Sequence, residues 1–214
     1  MKEKVCHIVC AGGGIKQQIK LKQGDLLLVA DGGYDKIKNS NLKIDYLIGD
    51  FDSIANLPVN HNVVKLPTEK DVTDTHYCVC KGIELGYKFF YLYFATGGKR
   101  IDHSIANLQI LNYLANNDAQ GYIFSGNQVI TAIKNTCLNF SEKASGFISI
   151  FASTNCANDV EINGLKYDFS GDLTNDFSLG VSNEFCNKNS SISVKNGILT
   201  IVFNKKCLKH INLT

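Results

Sequence analysis

The chain has 214 residues, 44% of them hydrophobic and 20% charged, with a formal net charge of +2. That length buries one sizeable core or two modest ones. The near-neutral balance, with no basic stripe, excludes an electrostatic nucleic-acid binder, and no run approaches the roughly 20 apolar residues that span a bilayer.

The charged start at Met1–Lys4 is followed by a short apolar run, Val5–Cys10, which breaks at Gly12-Gly13-Gly14. That pattern is not a secretory leader, so a soluble, cytoplasmic protein is expected. Further apolar runs follow at Asp25–Ala30, Tyr46–Ile48, Val63–Leu66 and Phe89–Phe94. They do not alternate with polar residues, which predicts strands buried on both faces of a parallel sheet. Helical patterns fall between them, at Asp71–Gly86 and Ile101–Asn116. In the second, Ile101, Ile105, Leu108, Leu111, Tyr113 and Leu114 are expected to share the inward face. The alternation predicts a doubly wound, mostly parallel α/β domain over residues 1–124.

Beyond about Gly121 the helical signal ends. Strands are predicted at Gln128–Ile133, Gly146–Phe151, Val160–Leu165, Ser191–Val194 and Leu199–Phe203, with Asn163-Gly164 and Asn196-Gly197 as hairpin turns. Residues 125–214 are therefore expected to form an antiparallel β-sandwich or barrel. The eight cysteines lack zinc-site spacing and read as buried, reduced thiols.

Ligands of an open α/β sheet bind outside the carboxyl ends of its strands. Each predicted strand end carries acidic residues or glycines. Asp31-Gly32-Gly33 follows the second strand, and Gly49-Asp50-Phe51-Asp52-Ser53 the third. Thr68-Glu69-Lys70-Asp71-Val72-Thr73-Asp74 follows the fourth, and Thr96-Gly97-Gly98-Lys99-Arg100-Ile101-Asp102-His103 the fifth. Crowded carboxylates repel unless a cation joins them. Magnesium takes oxygen ligands and commonly shares them with substrate phosphates, so the acidic ends imply magnesium with a nucleotide. Gly32-Gly33 and Gly97-Gly98 allow positive φ and let backbone N–H groups approach an anion closely. Lys70, Lys99 and Arg100 are candidate phosphate cations. Taken singly, Asp-Gly-Gly is an ordinary turn, Asp71 and Asp74 suit a helix cap, and His103 suits a structural role.

In order and spacing these blocks, with Ala106-Asn107-Leu108, Gly164-Leu165-Lys166-Tyr167 and Leu179-Gly180-Val181-Ser182-Asn183-Glu184, resemble the bacterial thiamine pyrophosphokinases over nearly the whole chain. The resemblance implies transfer of the pyrophosphoryl group of ATP to thiamine, giving AMP and thiamine diphosphate. It implies a homodimer whose thiamine sites lie between the α/β domain of one chain and the sandwich of the other. It implies Asp31, Asp50, Asp52 and Asp74 as magnesium ligands, and Asp71 as an aid to the metal cluster or the nucleophile. Lys70 and Arg100 would contact phosphates, and Asp31-Gly32-Gly33, Thr96, Gly97, Gly98 and Lys99 would belong to the nucleotide site. Asp102 and His103 would lie by the thiamine hydroxyl, and Ser182 and Asn183 would serve the thiamine pocket. Lys99 is an insertion relative to members in which arginine follows the glycine pair, which leaves the division of work between Lys99 and Arg100 open. A kinase transferring only the γ-phosphate, or a non-catalytic Mg-ATP sensor, remains as an alternative.

Overall fold

The computed structural model describes residues 3–13, 17–51 and 62–213. It divides into two compact units, residues 1–110 with 118–126, and residues 111–117 with 127–214.

The first unit is built on strands β1 (Val5–Val9), β2 (Leu26–Ala30), β3 (Tyr46–Gly49), β4 (Val63–Lys65), β5 (Phe89–Tyr93) and β6 (Gln120–Ser125). All are parallel, in the spatial order β6-β5-β1-β2-β3-β4. Helix α1 (Tyr34–Ile37) follows β2, α2 (Asp74–Glu84) leads into β5, and α3 (Ile101–Asn116) leads out of it. The central strands β1 and β2 are almost wholly buried, which is why their sequences run apolar without alternation. From β1 the chain proceeds to β2, β3 and β4 on one side, then returns to β5 on the other. The pair β1 and β5 is therefore the topological switch point, where the loops leaving two neighbouring strands part in opposite directions.

Helix α2 begins three residues later than its pattern predicts. Thr73, and neither Asp71 nor Asp74, is its N-cap, accepting a hydrogen bond from His76 N at 3.2 Å. Helix α3 has its predicted bounds but a different inward face. Ser104, Asn107, Ile110, Leu111 and Leu114 are buried, whereas Ile101 and Ile105 are 72% and 54% exposed.

Within the sheet His7 is buried, its two ring nitrogens reaching Tyr93 Oη at 3.0 Å and Asp25 Oδ2 at 3.2 Å. Burial holds the imidazole below its ordinary 6.5, against the pull of Asp25. Burial pushes Asp25 up, but the amides of Val5 and Lys22 and the His7 ring outweigh it and hold the carboxyl below 3.8. Both groups bind protons less readily folded than unfolded, so each contributes stability that is lost on acidification: His7 as pH falls below 6.5, Asp25 below 3.8. Half-buried His76 adds a loss of the same sign. The melting temperature is expected to fall between pH 7 and pH 5. The fall should be smaller in His7→Phe, which fills the space without an ionisable group. Equal slopes in thermal melts would show that His7 carries none of the dependence.

The second unit contains β7 (Gln128–Lys134), β8 (Cys137–Phe140), β9 (Phe147–Ala152), β10 (Cys156–Asn163), β11 (Phe169–Thr174), β12 (Asn183–Glu184), β13 (Ser190–Asn196), β14 (Ile198–Asn204) and β15 (Ile211–Leu213). One antiparallel layer runs β12-β9-β14-β7 and the other β11-β10-β13-β8-β15. The layers meet through β9 with β11 and β7 with β13, so the unit is a sandwich. Asn163-Gly164 does open the β10–β11 hairpin. Asn196-Gly197 does not make one: β13 and β14 pair in different layers, and Gly197, at φ 129°, carries the chain across. None of the cysteines forms a disulfide, but only Cys6, Cys10, Cys78 and Cys207 are fully buried, and Cys186 is exposed. Among the described residues no helix is long and apolar enough to cross a membrane.

Candidate active site

A cavity of about 470 Å³ opens at the carboxyl edge of the first unit, lined by Gly12 and Gly13 after β1 and by Gly97 and Gly98 after β5. It thus lies at the switch point. Two parallel strands leave little room between their loops, and the sequence answers with glycine on both sides. A Cβ on Gly13 would lie 2.4 Å from Gly98 N, and one on Gly12 would lie 2.3 Å from Phe94 O. Gly97 and Gly98 use the freedom that glycine allows, with φ of 74° and 86°. Gly32 and Gly33 do not: they form a short 3-10 turn, where Gly33 is glycine because a Cβ would meet Val9 O at 2.3 Å. The left-handed residue there is Asp31, at φ 37°. Phe51 beyond β3 and Phe94 beyond β5 are also left-handed, at 59° and 54°. Bulky residues rarely adopt that conformation, and such strain concentrates at functional sites.

The acidic corner follows from the strand ends. Gly49 ends β3 without a side chain, and a Cβ there would sit 2.8 Å from that of Asp31, so glycine lets Asp31 lie over the end of its neighbour. Lys70 Nζ is 2.7 Å from Asp74 Oδ1 and 3.3 Å from Asp50 Oδ2. Burial pushes the Asp74 carboxyl up, and the charges of Asp31 and Asp50 add to the rise against the opposing pull of Lys70. Burial pulls the Lys70 ammonium down, but Asp74 and Asp50 outweigh it and raise it overall. Three carboxylates against one ammonium leave the corner negative. Among the described residues no three histidine, cysteine or acidic side chains are disposed to hold a metal by themselves. The all-oxygen donor set fits a hard divalent cation that completes its shell with water and phosphate.

The first turn of α2 contributes Thr73, Asp74 and Thr75 to the cavity wall, and the helix dipole there favours an anion. Opposite, Lys99, Arg100 and His103 line the mouth. Arg100 grips Asp102 through Nε at 3.0 Å and Nη2 at 2.6 Å, which holds the Asp102 carboxyl down to about 2. Beneath them, Ser104 Oγ accepts from Gly97 N at 3.0 Å, and Asn107 Nδ2 donates to Ala95 O at 2.7 Å. Those two side chains fix the Gly97-Gly98 loop to α3.

Of the residues singled out from sequence, Asp31, Asp74, Gly97, Gly98, Lys99, Arg100 and His103 line this cavity. Asp50 and Lys70 stand behind it in the acidic corner, and Gly32 and Gly33 behind Asp31. Thr96 lines a smaller neighbouring cavity and reaches Ser125 Oγ at 2.9 Å. Asp102 pairs with Arg100, and Asp71 is exposed ahead of α2. Asp52 lies outside the described residues. Lys36, Thr73, Thr75, Ser104 and Asn107 line the wall without having been singled out as site residues. For Ser104 and Asn107 the local sequence carries no signal of this, because their partners are backbone groups of the loop after β5.

Residues 17–123 match the family model described as thiamin pyrophosphokinase, catalytic domain, a span that contains the cavity wall apart from Cys10, Ala11, Gly12 and Gly13. Residues 136–199 match a second, thiamin pyrophosphokinase, vitamin B1 binding domain. The chain belongs to the thiamin pyrophosphokinase family. Its fold is that of thiamin pyrophosphokinase structures. The Bacillus subtilis enzyme is 22% identical with a TM-score of 0.79, over 94% of this chain and 99% of that one. The Geobacillus thermodenitrificans enzyme is 22% identical with a TM-score of 0.78, over 95% and 100%. The Candida albicans enzyme is 16% identical with a TM-score of 0.74, over 94% and 90%. No curated protein matches the sequence.

Ser182 and Asn183, which the family resemblance assigns to the thiamine pocket, are in the second unit. Asn183 is buried, and its amide is committed: Oδ1 accepts from Tyr167 N at 3.1 Å and Glu184 N at 2.9 Å, while Nδ2 donates to Tyr167 O at 2.7 Å. It thereby presents Tyr167, which is 62% exposed.

Proposed function

We propose that the chain is a cytoplasmic thiamine pyrophosphokinase, transferring the pyrophosphoryl group of ATP to the thiamine hydroxyl and releasing AMP. The observation that carries the reading is the switch-point cavity, where two glycine loops, a cationic mouth and an acidic corner meet at one edge. Such transfer asks mainly for positioning and charge neutralisation. The N–H group of Gly98, with Lys99 and Arg100, binds phosphate oxygens. Asp31, Asp50 and Asp74, joined by Asp52, hold magnesium, which supplies neutralisation of charge on the phosphates. The hydroxyl attacks the β-phosphorus in line. Its proton passes late to Asp71 or Asp102. Asp102 has a route to that role, because a phosphate that takes Arg100 releases the carboxylate from the pairing that holds it near 2.

In the second unit Ser182 contacts thiamine. With no Trp in the chain, ring packing must come from Phe, Tyr or His, and Tyr167, braced by Asn183, is the exposed candidate. The enzyme acts as a homodimer with shared sites, a reading supported by exposed Phe147, Phe177, Leu179 and Val181 on the sandwich unit.

The test is incubation with ATP, magnesium and thiamine, followed by identification of both products. AMP with thiamine diphosphate is expected. ADP with thiamine monophosphate would establish a γ-phosphate kinase instead, and binding without turnover a sensor. Mixing inactive Asp50→Asn and Ser182→Ala/Asn183→Ala chains should restore part of the activity through heterodimers. No recovery after proven subunit exchange would rule out shared sites.

A further inference from the structure

The ammonium in the acidic corner belongs to a residue turned inward from an exposed stretch. Glu69 and Asp71, on either side of Lys70, are exposed, whereas Lys70 is largely covered. Its Nζ reaches two carboxylates from different elements. Asp74, four residues on and the first residue of α2, is at 2.7 Å, and Asp50, just beyond β3, is at 3.3 Å. The three side chains are between 16% and 21% exposed, so this is not one of the solvated surface pairs that contribute little. Asp74 also lines the main cavity, so a single carboxylate separates the ammonium from it.

Asp50 and Asp74 are two of the carboxylates assigned to magnesium, and one set of oxygens therefore has two claimants. A divalent cation entering alone must share those oxygens with a positive charge already bonded to them, and like charges repel. A cation entering with a polyphosphate brings negative oxygens to which the ammonium can move. Lysine suits such an exchange. Its ammonium is a compact point charge with three donors on a flexible four-carbon stem, whereas a guanidinium holds a carboxylate through a rigid fork.

We propose that Lys70 is an exchangeable counterion, which neutralises Asp50 and Asp74 before the nucleotide binds and passes to the phosphates when the metal arrives with them. The assignment rests on the reading of the acidic corner as the magnesium site. The phosphate contact expected of Lys70 from sequence and the pairing seen in the fold are then two positions of one ammonium. The consequence is coupled binding: the metal alone binds weakly, the metal–polyphosphate complex binds well, and the coupling is reciprocal.

The test is the sign of one substitution in two measurements. Mn2+ is the metal probe, because its paramagnetic resonance distinguishes free from bound ion. Lys70→Met keeps the length of the side chain and removes its charge. It is expected to tighten the binding of Mn2+ alone by on the order of 10-fold, since the competing cation is gone. The same substitution should weaken Mg-tripolyphosphate binding in calorimetry by about 10-fold or more, the worth of one charged hydrogen bond. Lys70→Arg keeps the charge and should bind Mn2+ alone as weakly as the wild-type chain. A residue that only braces the corner would move both affinities in the same direction. Lys70→Gln takes the place of Lys70→Met if the latter does not melt cooperatively. An uncharged variant that binds Mn2+ alone no tighter than wild type overturns the proposal, as does Lys70→Arg tightening it equally. So does an uncharged variant that binds Mg-tripolyphosphate as well as wild type does. Failure of every chain to bind Mn2+, with or without tripolyphosphate, would overturn the reading of the acidic corner as well.

Discussion

Asp74→Asn is expected to lower turnover by on the order of 10³-fold at saturating substrates, while leaving the melting temperature without metal unchanged or higher. The first half follows from charge. In the proposed reaction Asp74 shares a divalent cation with Asp31 and Asp50, and the neutralisation such an ion supplies is worth several kcal/mol in the transition state, at about 1.4 kcal/mol per factor of ten. The second half follows from the position of Asp74. Burial, then the neighbouring carboxylates, hold its proton more tightly in the folded chain than in the unfolded one, in spite of Lys70. A group shifted in that direction stabilises the fold when protonated. Its ionised form opposes folding at pH 7, and the opposition fades as pH falls through the raised value. Asparagine keeps the shape and removes the charge, and Lys70 retains Asp50 as a partner at 3.3 Å. Activity and melting should therefore move independently. Near-normal turnover at limiting magnesium would remove Asp74 from the machinery. A melting temperature lowered by more than about 5 °C, which at this chain length is over 1 kcal/mol, would mean that it holds the fold together instead.

What could be read from the sequence, and what could not, divides along a physical line. The parallel strands were legible because burial on both faces leaves an unbroken apolar run, as in Leu26–Ala30, and few other environments do. The residues at their ends were legible for the same reason: once the strands are placed, the carboxyl edge is placed with them, and Asp31, Asp74, Gly97 and Gly98 fall on it. The face of α3 was not. Ile101, Ile105 and Leu108 satisfy helical spacing as well as Ser104, Asn107 and Leu111 do, and the helix buries the second set because Ser104 and Asn107 bond the backbone of the β5 loop. No local pattern reveals that two polar residues have partners waiting. Nor could Asn196-Gly197 disclose that its flanking strands join different layers, since a turn signal is local and layer membership is not. The glycines divide likewise. Gly98 is required by its own φ, which the sequence suggests, while Gly33 is required by a carbonyl on another strand.

That distinction yields the second large effect. Gly13→Ala is expected to lower turnover about 100-fold and to reduce stability by roughly 1–3 kcal/mol. The methyl group would enter 2.4 Å from Gly98 N and 2.9 Å from its Cα, both backbone atoms that no rotamer change can move aside. Relief requires the loops after β1 and β5 to separate. They belong to adjacent strands locked in register from Val5 opposite Phe89 to Val9 opposite Tyr93, so the separation must come out of the loops themselves. Gly98 is also the residue whose N–H is assigned to the phosphates, and a displacement near 1 Å is enough to cost about two decades in rate. Gly86→Ala supplies the control. Gly86 has φ 83°, so alanine there is strained, yet nothing lies within 4 Å of the new Cβ. It should lose stability of about 1 kcal/mol and keep full turnover. If Gly13→Ala behaves like Gly86→Ala, melting lower but turning over normally, then close approach of the two glycine loops is a matter of folding alone and the phosphate site does not depend on it.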